Sequence, residues 1–152
     1  MPLYKEIEDA ILALLEPLRA KPPAGIYANE IRSYGGEFNT ANIDEVVIQF
    51  PAILVNINEK IIEPGGRLDF HTNSISVYVC DQNARGEESA RGGDALAGSP
   101  GAYIMLESVR RKLHRQNIPG IGVLLAQREV LVGYSQTRCI YRAEYKIKTK
   151  EV

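Results

Sequence analysis

Residues 52–57 read AILVNI and residues 68–80 read LDFHTNSISVYVC. In both runs apolar residues recur at every second position, which is typical of β-strands with one buried face. Residues 63–66, EPGG, carry the proline and glycines of a type II turn, so the two runs predict an antiparallel hairpin. Its buried face is predicted to comprise Ile53, Val55, Ile57, Ile75, Val77 and Val79.

A second hairpin is predicted near the C-terminus. Residues 129–134 and 137–148 are the two strands, joined tightly around Ser135 and Gln136. The last strand alternates, and its apolar face consists of Cys139, Tyr141, Ala143, Tyr145 and Ile147.

Two amphipathic helices are predicted outside the hairpins. The first covers residues 3–16 and should end or kink at Pro17. The second follows Ser99, a natural N-cap, and Pro100, a natural first helical residue. A brief helix is also predicted within residues 40–48, capped by Thr40 or Asn42.

This order of elements predicts a single α+β domain over residues 1–152. Because the strands come as tight antiparallel pairs, the expected architecture is one mainly antiparallel sheet with two long helices packed on one face.

The segment between the hairpins is unusually polar. Residues 81–101 read DQNARGEESARGGDALAGSPG, and we call residues 81–99 the arm. Long loops in compact domains are usually functional or disordered. We therefore expect the core to make no use of the arm, shortening of the arm to leave the fold nearly intact, and a partner to order residues 82–96. The charged residues of the arm are Arg85, Glu87, Glu88, Arg91 and Asp94. They are interpreted equally well as part of a solvated loop or as partners in intersubunit ion pairs.

The composition excludes several classes of protein. The formal net charge of −1 gives no overall attraction to nucleic acid or anionic membranes. The start, MPLYKEIEDA, lacks the basic and apolar regions of a secretory signal, and no apolar run approaches membrane-spanning length. A reduced, cytoplasmic protein is expected.

No catalytic or metal-binding motif is found, so we expect no catalysis, no metal and no cofactor. His71 and His114 have no neighbours at metal-ligand spacing, and Cys80 and Cys139 have no nearby base. The basic run at residues 110–115 is interpreted as a solvated helix face, with contact to nucleic acid phosphates as the alternative.

Several motifs follow one another along the chain: residues 7–11 (IEDAI), residues 50–55 (FPAILV), the strand at 74–79, the arm, the helix at 103–113 and the C-terminal strand pair. In this order they resemble the Mu-like phage tail-protein family that is related to tail terminators. The resemblance spans nearly the whole chain. The family pattern assigns no individual binding residue.

The resemblance implies a tail-terminator-like fold and a protein that caps the tail tube as a hexameric ring, ends tail elongation and forms the head-joining surface. Expected partners are further copies of itself, the tail tube protein, a sheath protein and a head-completion protein, with DNA only passing through the ring. The arm and an exposed sheet edge are the expected subunit contacts. The alternatives are a head-side neck or connector protein, and a small cytoplasmic enzyme or regulatory subunit.

Overall fold

The computed structural model describes residues 4–38, 43–83, 86–93 and 100–150. Three α-helices occur in these ranges: α1 (Tyr4–Leu15), α2 (Glu87–Gly92) and α3 (Ala102–Leu113). The strands are β1 (Glu30–Ser33), β2 (Ala52–Gly65), β3 (Leu68–Gln82), β4 (Asn117–Ile118), β5 (Gly122–Tyr134) and β6 (Arg138–Lys150). Short 3₁₀ turns lie at Glu16–Arg19 and Ile43–Glu45.

The strands form one sheet in the order β1-β2-β3-β6-β5-β4. The predicted hairpins are β2–β3 and β5–β6, and β3 pairs with β6 in the centre. All of these pairs are antiparallel, whereas β1 runs parallel to the first four residues of β2. The sheet is therefore mixed.

The two faces of the sheet are covered differently. The main core lies between the sheet and helices α1 and α3, and includes the predicted strand faces at Val55, Val77 and Ala143. A smaller cluster on the opposite face packs Leu54, Tyr78 and Ile140 against the segment between β1 and β2. The alternation predicted for these strands is confirmed.

The predicted fold class was wrong. The sheet is a curled, mixed half-barrel, and the helices are short. Strands β3 and β6 contain 15 and 13 residues, whereas α1 and α3 contain 12 each. At about 3.3 Å per strand residue and 1.5 Å per helix residue, the strands reach roughly 45 Å and the helices roughly 18 Å. The helices therefore cover only part of one face.

Several boundaries also differ from prediction. Strand β5 begins at Gly122, seven residues earlier than the apolar alternation indicated. The β2–β3 turn lies at Gly66 and Arg67, because Gly65 already pairs with Leu68. Pro100 was predicted as the first residue of α3, but the helix begins two residues later, at Ala102, and Gly101 is its N-cap. The proposed caps Ser99, Thr40 and Asn42 lie outside the described residues.

Candidate functional site at the base of the arm

The two ends of the arm are joined by one buried carboxylate. Asp81, near the end of β3, is 1% exposed. Its Oδ2 accepts a hydrogen bond from the backbone N–H of Gly101 at 2.7 Å, and its Oδ1 accepts one from the N–H of Gln82 at 2.8 Å. A carboxylate that accepts two backbone N–H groups satisfies donors that would otherwise be buried without a partner. The start of α3 is thereby fixed to the end of β3.

Gly101 is required by two features of this junction. Its φ is +82°, a region in which side chains other than glycine are strained. A Cβ on Gly101 would also lie 2.3 Å from the backbone N of Gly93 and 2.6 Å from the carbonyl carbon of Gly92. The backbone of the arm therefore returns to contact the start of α3.

The middle of the described arm is folded onto the domain. Residues 87–92 form α2, in which the N–H of Ala90 bonds to the carbonyl of Gly86 at 3.1 Å. Ala90 is fully buried and belongs to the main core. The expectation that the core makes no use of the arm was wrong, because a small residue such as alanine can be buried without any apolar run to indicate it.

An aromatic cluster with one arginine lies at the arm's base. The guanidinium of Arg91 lies 5.9 Å from the ring centre of Tyr103, whose ring meets that of Tyr141 edge-on at 5.9 Å. Burial, together with a hydrogen bond that the Tyr141 hydroxyl donates to Tyr103, raises the pKa of Tyr141 to about 12. Tyr103 is exposed. Exposed tyrosine and arginine side chains are common at protein interfaces, so the cluster is a candidate contact surface.

The structure describes the five predicted arm residues to different extents. Arg85 and Asp94 lie outside the described residues, and Glu87 and Glu88 are described only as the first residues of α2. Arg91 contacts Tyr103 as given above. Intersubunit ion pairing by these residues stays a prediction.

The histidines and cysteines occupy structural positions. The imidazole Nδ1 of His114 accepts the N–H of Ala126 at 2.9 Å, and His71 is buried on β3. Cys80 faces the smaller cluster and Cys139 the main core, so the two thiols point to opposite faces of the sheet. Burial raises the pKa of the Cys80 thiol well above its usual value, which keeps it protonated and weakly nucleophilic at neutral pH.

The basic run of α3 is partly neutralised within the chain. Arg110 donates to Glu129 at 2.7 Å, and Arg111 forms an ion pair with Glu107 one helical turn earlier. These pairs favour the solvated helix face over a nucleic acid site.

Among residues 4–38, 43–83, 86–93 and 100–150, no group of three histidine, cysteine or acidic side chains could hold a metal ion. No helix in those ranges is long and apolar enough to cross a membrane.

The residues of the exposed sheet edges were not identified from the sequence. Strand β2 extends past its partner β1, which pairs only with Ala52–Val55. Strand β5 extends past β4, which pairs only with Gly122 and Val123. The sheet therefore has two long edge segments, residues 56–65 and residues 127–134. The lengths of the neighbouring strands β1 and β4 determine which residues of β2 and β5 lie at a free edge. The sequences of the edge segments themselves do not indicate these lengths.

The profile of the family described as Bacteriophage Mu, Gp37 matches residues 3–148. No curated protein matches the chain.

Proposed function

This chain belongs to the Bacteriophage Mu, Gp37 family, and from that premise we propose that it is a tail terminator. In this proposal several copies form a ring on the end of the tail tube, stop its elongation and present the surface to which the head joins. The ring is hexameric, and DNA passes through its centre. The tube protein is the first partner, and the sheath and head-completion proteins are the others.

The family match carries the proposal. It covers residues 3–148, so it includes every helix and nearly all of every strand. Membership of this family makes the chain a phage structural, tail-related protein. Our proposal goes further and assigns it the terminator function. This assignment is supported by the order of motifs along the chain, which follows the tail-terminator-related pattern from the first helix to the C-terminal strands.

The geometry supports assembly into a ring. Head-to-tail rings need two different, complementary patches on each subunit. The chain offers the arginine–tyrosine cluster at the arm's base and two free sheet edges. Free sheet edges readily pair with other chains.

The test combines native mass with tail binding. Purified protein should form a single closed oligomer, alone or when tube ends are added, and should bind the free ends of tail tubes assembled without it. Tubes grown in its presence should be shorter and uniform. Binding to the portal end of filled heads instead of to tube ends would identify a head-side neck protein and overturn the terminator proposal.

A further inference from the structure

The free edge of β2 carries two adjacent apolar side chains. Beyond Val55, the outward backbone groups of residues 56–65 have no backbone partner among the described residues. Ile61 and Ile62 are 43% and 56% exposed. Since neighbouring residues of a strand point to opposite faces, both faces of this edge expose apolar surface.

The free edge of β5 has the same character. The loop after α3 bonds to Leu124, and His114 bonds to Ala126, so the edge is covered up to that point. Beyond it, residues 127–134 have no outward backbone partner within the described ranges. Leu131 and Val132 are 45% and 40% exposed.

The protective devices on these edges are incomplete. Edge strands usually carry lysine, proline or bulges, which hinder pairing with other chains. On β2, a register shift occurs at 57/59, Lys60 lies over the ring of Tyr4, 4.5 Å from its centre, and Pro64 stands at the far end. On β5, register shifts occur at 126/128 and 131/133. Ile61 and Ile62 lie between Lys60 and Pro64, and the run from Arg128 to Leu131 lies between the two shifts of β5.

We propose that residues 127–134 of one copy pair with residues 56–65 of the next, so that the sheets of neighbouring subunits join. The proposal rests on the ring proposed above and names the strands that hold it together. Three antiparallel steps separate β2 from β5 in one sheet, so these strands run in opposite directions. Rotation about a ring axis keeps the direction of strands that run along that axis, and with the strands in that orientation the new pair is antiparallel.

The side chains specify a register on the sheet face that points away from α1 and α3. Arg128 lies opposite Glu144 and Val130 opposite Arg142 on this face of β5. Glu63 lies on the same face of β2, and Arg128 already donates to Glu144 within its own chain. A register that sets Arg128 across from Glu63 adds a second carboxylate to that pair and also sets Val130 across from Ile61, which joins one apolar pair.

On the helix-bearing face, β5 presents Glu129 and Leu131, and β2 presents Lys60 and Ile62. The same register sets Glu129 directly across from Ile62 and Leu131 directly across from Lys60, so the complementary side chains meet only as diagonal neighbours. The register is therefore specified by the face that points away from the helices.

Both halves of the contact lie on the same chain, and this identifies a second copy as the occupant. Residues 127–134 span roughly 26 Å and residues 56–65 roughly 33 Å, so the shorter edge fits within the longer one. Each edge offers apolar residues flanked by charges that suit the other.

The first experiment blocks each edge with lysines. The β2-edge variant is Ile61→Lys with Ile62→Lys, and the β5-edge variant is Leu131→Lys with Val132→Lys. Ile104→Lys on α3 is the matched control, since Ile104 is similarly exposed and lies on neither edge. Circular dichroism checks folding. Each edge variant should raise the concentration for half-assembly at least tenfold, and the control should match the parent.

Mixing the two edge variants gives the sharper result. Each keeps one intact edge of a different kind, so a one-to-one mixture should form a heterodimer and nothing larger. Edge variants that assemble like the parent, or a mixture that stays monomeric, would overturn the proposal. A parent that stays monomeric even on tube ends would overturn the ring as well, which distinguishes the two failures.

A disulfide scan tests the register without disturbing the apolar residues. Arg128→Cys and Glu63→Cys combined in one chain should give a ladder of covalent oligomers on mild copper-catalysed air oxidation, ending at the ring size. Either substitution alone should give no ladder beyond a dimer. The native Cys80 and Cys139 are buried and should not interfere. An assembled double variant that yields no ladder would overturn the pairing.

Discussion

Asp81 and Gly101 are held 2.7 Å apart, from carboxylate oxygen to backbone nitrogen, although the arm separates them in sequence. This contact closes the arm at its base and sets where α3 begins. Since closing a flexible loop costs little more free energy as the loop lengthens, the arm can be long without weakening the domain, provided its two ends stay joined.

Gly101→Ala is expected to be strongly destabilising. The new Cβ would combine a positive φ with contacts of 2.3 and 2.6 Å to the backbone of Gly93 and Gly92, so the free energy of unfolding should fall by about 3 kcal/mol. Gly66→Ala is the matched control, with φ of +76° but open space around the new atom, and should cost about 1 kcal/mol. Urea unfolding measures both. Equal losses would show that the close backbone approach does not matter.

Ala90→Asp tests whether the arm belongs to the core. Ala90 is fully buried in the main cluster, and an unpaired carboxylate there should cost about 3 kcal/mol. Gly92→Asp, on the exposed end of the same helix, should cost less than about 1 kcal/mol. For the same reason, deletion of residues 84–93 should lower the melting temperature, whereas the sequence alone predicted an intact fold. A deletion variant with the same melting temperature as the parent would show that the arm is a surface loop that does not contribute to the core.

The sequence was sufficient for the strand faces whose apolar residues recur with a period of two. That period is visible at Ile53/Val55, at Ile75/Val77/Val79 and along β6, although Leu54 and Tyr78 on the opposite face are buried as well. It was insufficient for the first half of β5, where residues 122–126 read GVLLA without clear alternation. The lengths of helices relative to strands, which decide the fold class, depend on tertiary packing.

The candidate site was even less predictable. Asp81 and Gly101 are ordinary loop residues in sequence, and their contact arises from the fold. Ala90 lies among glycines and charges, where nothing distinguishes it from a solvated residue. The free edges exist because β1 and β4 are short, which is a property of other segments of the chain.

Val77→Asp tests the strand faces directly. Val77 is fully buried beneath the helices, so an unpaired charge there should remove about 3–5 kcal/mol from the free energy of unfolding. Val47→Asp, at a side chain that is 95% exposed, should change it by less than about 0.5 kcal/mol. Urea unfolding of both compares them. A Val77→Asp variant as stable as the parent would show that β3 is rotated relative to the core.

Glu144 should contribute to stability in a pH-dependent way. A hydrogen bond from Arg128, aided by the nearby Arg142, lowers the pKa of Glu144 below its usual value. A carboxyl group with a lowered folded-state pKa stabilises the protein above its unfolded-state pKa, and this contribution is lost as the pH falls through the folded-state value. Glu144→Gln should therefore reduce the loss of stability between pH 6 and pH 3. Arg128→Gln should reproduce part of that reduction. Urea unfolding at several pH values measures both variants, and a loss of unfolding free energy between pH 6 and pH 3 equal to that of the parent in both would contradict the ion pair.

Tyr145→Phe should be neutral or stabilising. The side chain is 1% exposed in the main core, and its hydroxyl has no hydrogen-bond partner among the described residues. Removing an unpaired buried hydroxyl relieves a desolvation cost of about 1 kcal/mol without losing a bond. Tyr34→Phe is the matched control, because the Tyr34 hydroxyl accepts the N–H of Phe38 at 3.3 Å and its loss should cost about 1 kcal/mol. Urea unfolding of both variants gives the comparison. A Tyr145→Phe variant less stable than Tyr34→Phe would show that the buried hydroxyl is paired in solution and that it helps to hold β6 in the core.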